Sequence, residues 1–235
     1  MDVIPVIDVA RGRVVRGIKG QRASYQPIET PLVAGSDPAD VARALMRIHA
    51  FRKLYIADLD GIEGRGRNVH LVPAISAAVG QAELWVDAGT ATRKAARAVL
   101  AAPVTTLVIG SESIETLASF RDIVAEAPER TVLSLDFRGT EFMGPPRLMS
   151  ETATWPSRII AMTLARVGSE EGPDLERLGE IIRRAGARKV YAAGGVRNST
   201  DLKALRDAGA AGVLVASALH AGAISAADIR GVANR

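Results

Sequence analysis

The stretch Val86-Asp87-Ala88-Gly89-Thr90 recurs 106 residues later as Ala192-Ala193-Gly194-Gly195-Val196. Leu107-Val108-Ile109-Gly110-Ser111 recurs at the same offset as Val213-Leu214-Val215-Ala216-Ser217. In each of these places a short apolar run ends in small residues. Two strand ends that share one spacing indicate an internal duplication, with small residues after the third and fourth strands of each half.

The rest of the chain alternates between strand-like and helix-like patterns. Runs of β-branched and aliphatic residues predict eight strands, and segments of helical period lie between them. Such strands pair in parallel, and 235 residues is close to the roughly 250 that are typical of a (β/α)₈ barrel. We therefore predict an α/β fold, a single (β/α)₈ TIM barrel built from two half-barrels, with residues 1–235 as one domain. The predicted strands are 3–9, 53–59, 84–88, 105–109, 131–137, 159–164, 189–193 and 212–216; the predicted helices are 38–49, 69–79, 92–100, 114–125, 175–185 and 199–208, with Asp37, Asn68, Asp174 and Asn198 as N-caps.

An open, doubly wound sheet is the alternative architecture, and it would usually carry a Gly-rich turn directly after its first strand. Here the first strand is followed by Ala10-Arg11-Gly12-Arg13-Val14-Val15-Arg16 instead. That segment predicts a small β-hairpin, and residues 17–36 predict a long polar loop. Loops of this length inside a compact domain are usually functional or mobile.

Composition excludes several classes of protein. The chain has no Cys, so it has no disulfide framework, no Cys-ligated metal and no thiol nucleophile. No apolar run is long enough for a signal peptide or a membrane span, which predicts a cytoplasmic protein without a membrane partner. The 30 Lys and Arg are scattered among 26 Asp and Glu, so the net charge of +4 is not gathered into a basic block. Nucleic-acid binding is therefore not expected.

The small residues at the strand ends predict phosphate binding. Without a bulky Cβ, main-chain N–H groups can approach an anion closely. In barrels of this kind the loops after the seventh and eighth strands commonly hold phosphate, and Gly194-Gly195 and Ala216-Ser217 fall there. Their counterparts in the first half, Gly89-Thr90 and Gly110-Ser111, predict a second site opposite. The alternative is that these residues only end strands and begin tight turns.

Two carboxylates at strand ends predict acid–base chemistry. Asp8 ends the first strand and Asp136 ends the fifth, and these strands lie opposite one another in an eight-stranded barrel. The two side chains would then face each other across the mouth, as a general acid and a general base on either side of a small substrate. A structural role, in which either Asp caps a loop or a helix, is the alternative.

Further charged residues lie close to the predicted strand ends. Asp58, Asp60 and Asp87 can contribute to a substrate shell, or clustered acids can hold Mg²⁺. We expect no metal, because basic residues near the mouth offer counter-charges, and we take Arg16 as a ligand for the substrate or its phosphate. The three His fall on or beside helices and are expected to be surface or packing residues. The basic residues are Arg16, Lys19, Arg22 and Arg138; the His are His49, His70 and His220.

Six ordered segments carry a resemblance to a known family. They are Ile4-Pro5-Val6-Ile7-Asp8, Gly12-Arg13-Val14-Val15-Arg16, Ala57-Asp58-Leu59-Asp60-Gly61, Val108-Ile109-Gly110-Ser111, Ser134-Leu135-Asp136 and Ala192-Ala193-Gly194-Gly195-Val196. In order and spacing these segments resemble the histidine-biosynthesis barrels, the ribotide isomerase HisA and its cyclase relative HisF. The match covers nearly the whole chain.

The resemblance implies a reaction as well as a fold. It implies a barrel of duplicated halves that holds a substrate with two phosphates. HisA-like chemistry is an aldose-to-ketose Amadori rearrangement, in which one Asp protonates the ring oxygen and the other moves the C2 proton. No metal or organic cofactor takes part. Asp8 and Asp136 match the positions of those two residues.

Several positions depart from the family pattern. Asp87 begins a segment where these isomerases usually read Gly-Gly-Gly-Ile-Arg, and Val167-Gly168-Ser169 replaces the usual Asp-Gly-Thr. Met162 stands where a site Thr is typical, with Thr163 one residue out of phase as a substrate-shell candidate. Ala216-Ser217 replaces Gly-Arg. These changes fall on the substrate shell and leave both catalytic Asp residues in place, which indicates a divergent HisA-related branch.

Three functions follow from these observations. The first is a HisA-like isomerase or related proton-transfer enzyme that acts on a phosphorylated sugar or ribotide, with the histidine-pathway reaction itself as one version. The second, by analogy with related branches in methanogens and methylotrophs, is biosynthesis of a one-carbon carrier such as tetrahydromethanopterin or methanofuran. The third is a barrel that binds a phosphorylated metabolite or a partner protein without catalysis. The sequence leaves both monomer and homo-oligomer open.

Overall fold

The computed structural model describes residues 1–169 and 171–233. Eight parallel strands close into a barrel, because β1 pairs with β10 as well as with β3. This confirms the predicted (β/α)₈ fold. The barrel strands are β1 (Asp2–Ala10), β3 (Lys53–Asp58), β4 (Glu83–Asp87), β5 (Thr105–Gly110), β6 (Thr131–Arg138), β8 (Arg158–Thr163), β9 (Lys189–Ala193) and β10 (Gly212–Val215); β2 (Arg13–Val15) and β7 (Glu141–Phe142) are short antiparallel additions.

Helices follow the barrel strands, and several begin where the sequence places a cap. Asp37, Asp174 and Asn198 each accept main-chain N–H groups of the first helical turn, as predicted. The helices are α1 (Pro38–Ile48), α2 (Leu59–Ile62), α3 (Val72–Val79), α4 (Arg93–Leu100), α5 (Leu117–Glu126), α6 (Pro146–Ser150), α7 (Leu175–Ala185), α8 (Ser199–Asp207), α9 (Ser217–His220) and α10 (Ala226–Val232). Among the described residues, none of these helices has the length and apolar character to span a bilayer.

Two helix starts differ in detail from the sequence prediction. Asn68 stands at the N-cap position of a 3₁₀ turn, Val69–Leu71, that continues into α3, so helical structure begins at residue 69 as predicted. The Asn68 side chain does not cap this turn, because its amide donates to Asp58 and Asp60 instead. The predicted helix 114–125 begins only at Leu117, because Thr116 and Ser119 form a reciprocal capping box there. Local side-chain hydrogen bonds account for both differences, and helical periodicity does not report them.

Strand alternation sorts the side chains into two apolar layers. One set fills the barrel interior and includes Ile4, Trp85, Val108 and Val132. The opposite faces of the same strands, together with the helices, form a larger outer layer. A residue at a strand end therefore reaches the barrel mouth only when its side chain points to the same face of the strand as these interior residues.

The predicted hairpin after β1 is present. Asp8 pairs with Val15 and Ala10 with Arg13 in an antiparallel register. The polar segment that follows lies against the body of the barrel, since the main-chain N–H of Lys19 donates to the carbonyl of Val167. The hairpin thus delivers residues 16–25 to the carboxyl ends of the barrel strands.

Candidate active site

A cavity of about 430 Å³ lies at the carboxyl ends of the barrel strands. This volume is in the range of sites for small molecules. Strand ends from both halves of the barrel contribute to its wall, and so does the loop after β2. Its polar lining includes Asp8, Arg16, Arg22, Tyr25, Glu29, Tyr55, Asp87, Glu112, Asp136, Ser169, Arg197, Ser217 and His220.

Asp8 lies in this cavity, on the interior phase of β1. The pKa of Asp8 is raised to about 6, because desolvation outweighs the opposing charge of the nearby Arg22 guanidinium. Gly17 covers the carboxylate so closely that a Cβ at this glycine would come within 2.7 Å of Asp8 Oδ2. At neutral pH Asp8 is therefore mostly ionised, and the loop after β2 shields it from solvent.

Asp136 lies in the same cavity at the end of β6 and is almost fully buried. Ser134 Oγ donates to its Oδ1 at 2.6 Å, and the main-chain N–H of Glu112 donates to its Oδ2 at 3.3 Å. Ser111 Oγ accepts the N–H of Asp136 itself. Desolvation is the largest cause that raises the pKa of Asp136 to about 7, and it outweighs the Ser134 hydrogen bond. The charges of Asp87 and Glu112 also raise the pKa of Asp136, whereas the charge of Arg22 opposes the rise in the pKa of Asp8.

Asp87 is the third carboxyl group of the cavity, on the interior phase of β4 above Trp85. Tyr55 Oη donates to its Oδ2 at 3.3 Å, and the N–H of Gly89 donates to its Oδ1 at 3.2 Å. Desolvation and, to a smaller extent, the charge of Glu112 raise the pKa of Asp87 to about 7. Desolvation and the Asp87 charge also keep Tyr55 protonated, since they raise its pKa well above the usual value.

Asp87 and Asp136 are neighbours across β5. A Cβ at Gly110 would lie 3.1 Å from Asp87 Oδ2 and 3.2 Å from Asp136 Oδ2. The absence of a side chain at Gly110 is what allows the two carboxyl groups to approach one another here. Each one raises the cost of ionising the other.

Arg22 and Glu112 form an ion pair at the cavity wall. Arg22 binds both carboxylate oxygens of Glu112 through its two terminal nitrogens, and both side chains are mostly shielded from solvent. This pair joins the loop after β2 to the turn after β5. The positive charge of Arg22 is therefore largely offset within the wall.

The predicted phosphate residues of the second half lie together in the cavity. Gly194 and Gly195 have φ values of +103° and +84°, which side chains other than glycine rarely adopt. Ala216 and Ser217 line the wall beside them. Among the described residues, the main-chain N–H groups of Gly195 and Ser217 donate no hydrogen bond within the protein. This part of the wall offers donors at the place where the sequence predicts an anion.

The corresponding residues of the first half do not face the cavity. Thr90 is fully buried, and Gly89 packs against the main chain of Gly61 and Ile62 in α2, which follows the neighbouring strand β3. Gly110 separates two carboxyl groups, and Ser111 donates to the carbonyl of Met143. Of the cavity's lining residues that the structure describes, none is one of these four.

Three of the four substrate-shell candidates also lie outside the described cavity lining. Asp58 accepts the main-chain N–H groups of Gly61 and Asn68, and Asp60 accepts the N–H of Arg11 and the Asn68 amide. Thr163 is buried on the outer phase of β8, while Met162 lines the cavity. Asp58 and Thr163 each lie on the face of their strand that points away from the barrel interior, which explains why they do not line the cavity. The fourth candidate, Asp87, is in the cavity.

Of the predicted basic and imidazole groups, only some reach the cavity. Arg16 and Arg22 line it, whereas Lys19 pairs with Glu171 and Arg138, the last residue of β6, is exposed. The described residues include no group of three or more Asp, Glu or His arranged to hold a metal ion.

His220 differs from the expectation for histidines. It is buried in the cavity wall at the end of α9, and burial lowers its pKa to about 4. His220 Nδ1 lies 3.2 Å from Thr30 Oγ1 of the loop after β2. His49 packs against Phe51 and His70 is exposed, as expected.

Sequence reasoning missed Tyr55, Glu112 and His220 as parts of this wall. Tyr55 had a usable signal, since it shares the interior phase of β3 with Ala57. Glu112 and His220 follow their strands within short helical turns, where no alternation applies.

The fold and this cavity define a class of protein: a (β/α)₈ barrel with buried carboxyl groups and unpaired main-chain N–H groups at one mouth, among the residues that the structure describes. Comparison with known proteins gives the family. The histidine biosynthesis protein family matches residues 2–225, and the chain belongs to it. This confirms the resemblance seen in the sequence.

Individual relatives are similar over nearly their whole length. A 1-(5-phosphoribosyl)-5-((5-phosphoribosylamino)methylideneamino)imidazole-4-carboxamide isomerase of Salinispora arenicola is 31% identical over 97% of this chain and 96% of its own. The isomerase of the same name from Chloroflexus aggregans is 29% identical over 95% and 94%. An uncharacterized protein of Methanocaldococcus jannaschii is 27% identical over 97% of both chains. The chain is thus a divergent member of the family.

Proposed function

We propose that this protein is an isomerase that converts a phosphorylated aldosylamine into the corresponding aminoketose, with Asp136 giving a proton to the substrate and Asp8 taking one from it. The observation that carries the proposal is the placement of both carboxyl groups in one cavity with the Gly194–Gly195 cradle. The isomerases among its relatives support the reaction class.

The two carboxyl groups suit different roles. Asp136, with its pKa raised to about 7, holds a proton that it can give to the ring oxygen as the bond from that oxygen to C1 breaks. Asp8, with its pKa at about 6, is mostly ionised at neutral pH, so it is available to take the C2 proton of the resulting iminium. The resulting enaminol becomes the aminoketose when Asp8 returns its proton to C1 and the 2-hydroxyl proton passes to Asp136. Both carboxyl groups thereby regain their starting protonation states. Because C2 is oxidised as C1 is reduced, the proposed reaction uses no metal or organic cofactor.

The cradle fixes the substrate. Main-chain N–H groups of Gly195 and Ser217, with no partner among the described residues, would hold the phosphate. Arg16, which is exposed and lines the cavity, would attract the phosphate group as the substrate enters. The phosphate then holds the sugar between the two carboxyl groups, where orientation itself lowers the barrier.

The proposal is tested with N-(5-phospho-D-ribosyl)aniline, which forms from D-ribose 5-phosphate and aniline. Wild-type protein should accelerate its conversion to the anilino-ketose, with loss of the C2 proton signal in D₂O followed by NMR. Asp122→Asn, on the exposed face of α5, is the matched control and should behave as wild type. A wild-type rate no higher than that of Asp8→Asn would contradict the proposal and favour a barrel that binds without catalysis.

A further inference from the structure

We infer that this cavity accepts substrates with a single phosphate, and that Asp87 is the residue that excludes a second one. The inference rests on the proposed function and narrows its substrate class to phosphomonoesters whose opposite end is a hydroxyl, carbonyl or amine. It follows from the unequal ends of the cavity.

The two ends occupy corresponding positions in the two half-barrels. β4 ends at Asp87 and β9 at Ala193, at the offset of the internal repeat. Ala193 leaves the wall open to the free N–H of Gly195. Asp87 places a carboxyl group at the matching point of the first half. The counterpart of Gly195 in the first half is Gly89, and its N–H is already given to the Asp87 carboxyl.

No described cavity-lining residue at the Asp87 end replaces the missing donors. Gly89 gives its N–H to Asp87 itself, and Ser111 is turned toward Met143. The cation at this end, Arg22, is held by Glu112. A second phosphate would therefore meet carboxyl groups without an available counter-charge.

Asp87 is the acidic group at this end that the proposed reaction does not use. Asp136 has an assigned proton transfer, and Glu112 is held in its ion pair. Tyr55 fixes the Asp87 carboxyl by donating to it, which leaves Asp87 turned to the cavity in one position. An ionised carboxylate beside a phosphate weakens its binding by about tenfold or more at partly screened distances.

The test is calorimetric titration of the full chain at pH 8 with D-ribulose 5-phosphate and, separately, D-ribulose 1,5-bisphosphate. Wild type should bind the monophosphate about tenfold or more tightly than the bisphosphate. Asp87→Asn should bind the bisphosphate about tenfold better than wild type does, with little change for the monophosphate. Asp122→Asn should shift neither affinity. Circular dichroism checks that each variant is folded, and Asp87→Ser replaces Asp87→Asn if that variant does not fold.

The outcomes separate the two proposals. Equal or tighter binding of the bisphosphate by wild type overturns this inference and leaves the sugar-phosphate function standing. An unchanged ratio of the two affinities in a folded Asp87 variant overturns the role of Asp87. Binding of neither ligand overturns the proposed function, and the inference with it.

Discussion

Asp8 and Asp136 are the same residue type at the ends of opposite strands, yet their surroundings differ. Arg22 favours ionisation of Asp8, whereas Asp87 and Glu112 oppose ionisation of Asp136. We expect Asp8→Asn and Asp136→Asn each to lower turnover by about 10²–10⁴, because Asn keeps the volume but cannot transfer the proton. Steady-state assays on the phosphoribosylaniline measure this. A folded variant with near-normal turnover removes that residue from the mechanism.

The substitutions Asp8→Asn and Asp136→Asn should lower turnover but leave the melting temperature unchanged or raise it. Both carboxyl groups have a higher pKa folded than unfolded, so their contribution to folding is present at about pH 4 and is lost as pH rises through 6 and 7. At pH 8 each Asn variant should melt at least as high as wild type, and the difference should shrink at pH 4. Thermal unfolding at both pH values checks this. Melting far below wild type at pH 8 would show a structural role.

The pH profile of turnover tests which group is the acid. If Asp8 is the base, kcat/KM rises as pH increases through about 6, where Asp8 loses its proton. If Asp136 is the acid, kcat/KM falls as pH increases through about 7. The residual activity of Asp8→Asn should lack the acidic limb, and that of Asp136→Asn the alkaline limb. The opposite assignment of limbs would reverse the two roles.

At the scale of elements, the loop after β2 covers the carboxylate of Asp8. Gly17 permits this, since a Cβ there would meet Asp8 Oδ2 at 2.7 Å. We expect Gly17→Ala to lower turnover by about tenfold or more, because the added methyl group would displace the Asp8 carboxylate. A displacement of 1 Å in an active site can lower the reaction rate by about 10². Gly179→Ala, in α7 with only a flexible Arg183 end nearby, is the control. Turnover and thermal unfolding are measured together; equal turnover in both variants would show that the loop does not position Asp8.

The strands were predictable and the wall of the cavity was predictable only in part. Periodicity placed all eight barrel strands, and alternation correctly put Asp8 and Asp136 at the mouth. The same alternation, applied to β3, predicts that Tyr55 rather than Asp58 points into the barrel. The Arg22–Glu112 pair joins residues 90 positions apart through a loop without periodicity, so local patterns carry no signal for it. Its identification required the fold.

At the scale of the whole molecule, the barrel belongs to the histidine biosynthesis family, and it carries the Asp87 carboxyl group in its cavity. We expect this chain not to support growth of a histidine auxotroph that lacks the imidazole-carboxamide isomerase, because that substrate carries two phosphoribosyl groups and Asp87 opposes one of them. Complementation at ordinary expression measures this, with a relative such as the Salinispora arenicola isomerase as the positive control. Robust growth with this chain would show that the cavity still accepts two phosphates.

The two halves of the barrel share a repeated sequence pattern, but the ends of β4 and β9 differ in charge. A ligand can enter a cavity with equal ends either way round, and one of the two orientations places its reacting carbon beside the wrong carboxyl group. Here β4, which ends in the carboxyl group of Asp87, and β9, which leads to the N–H of Gly195, lie on opposite sides of the barrel. We therefore expect the electric field between them to turn an approaching phosphomonoester before contact is made. The orientation of the ligand would then be set on entry, and unproductive encounters would be rarer without any conformational change.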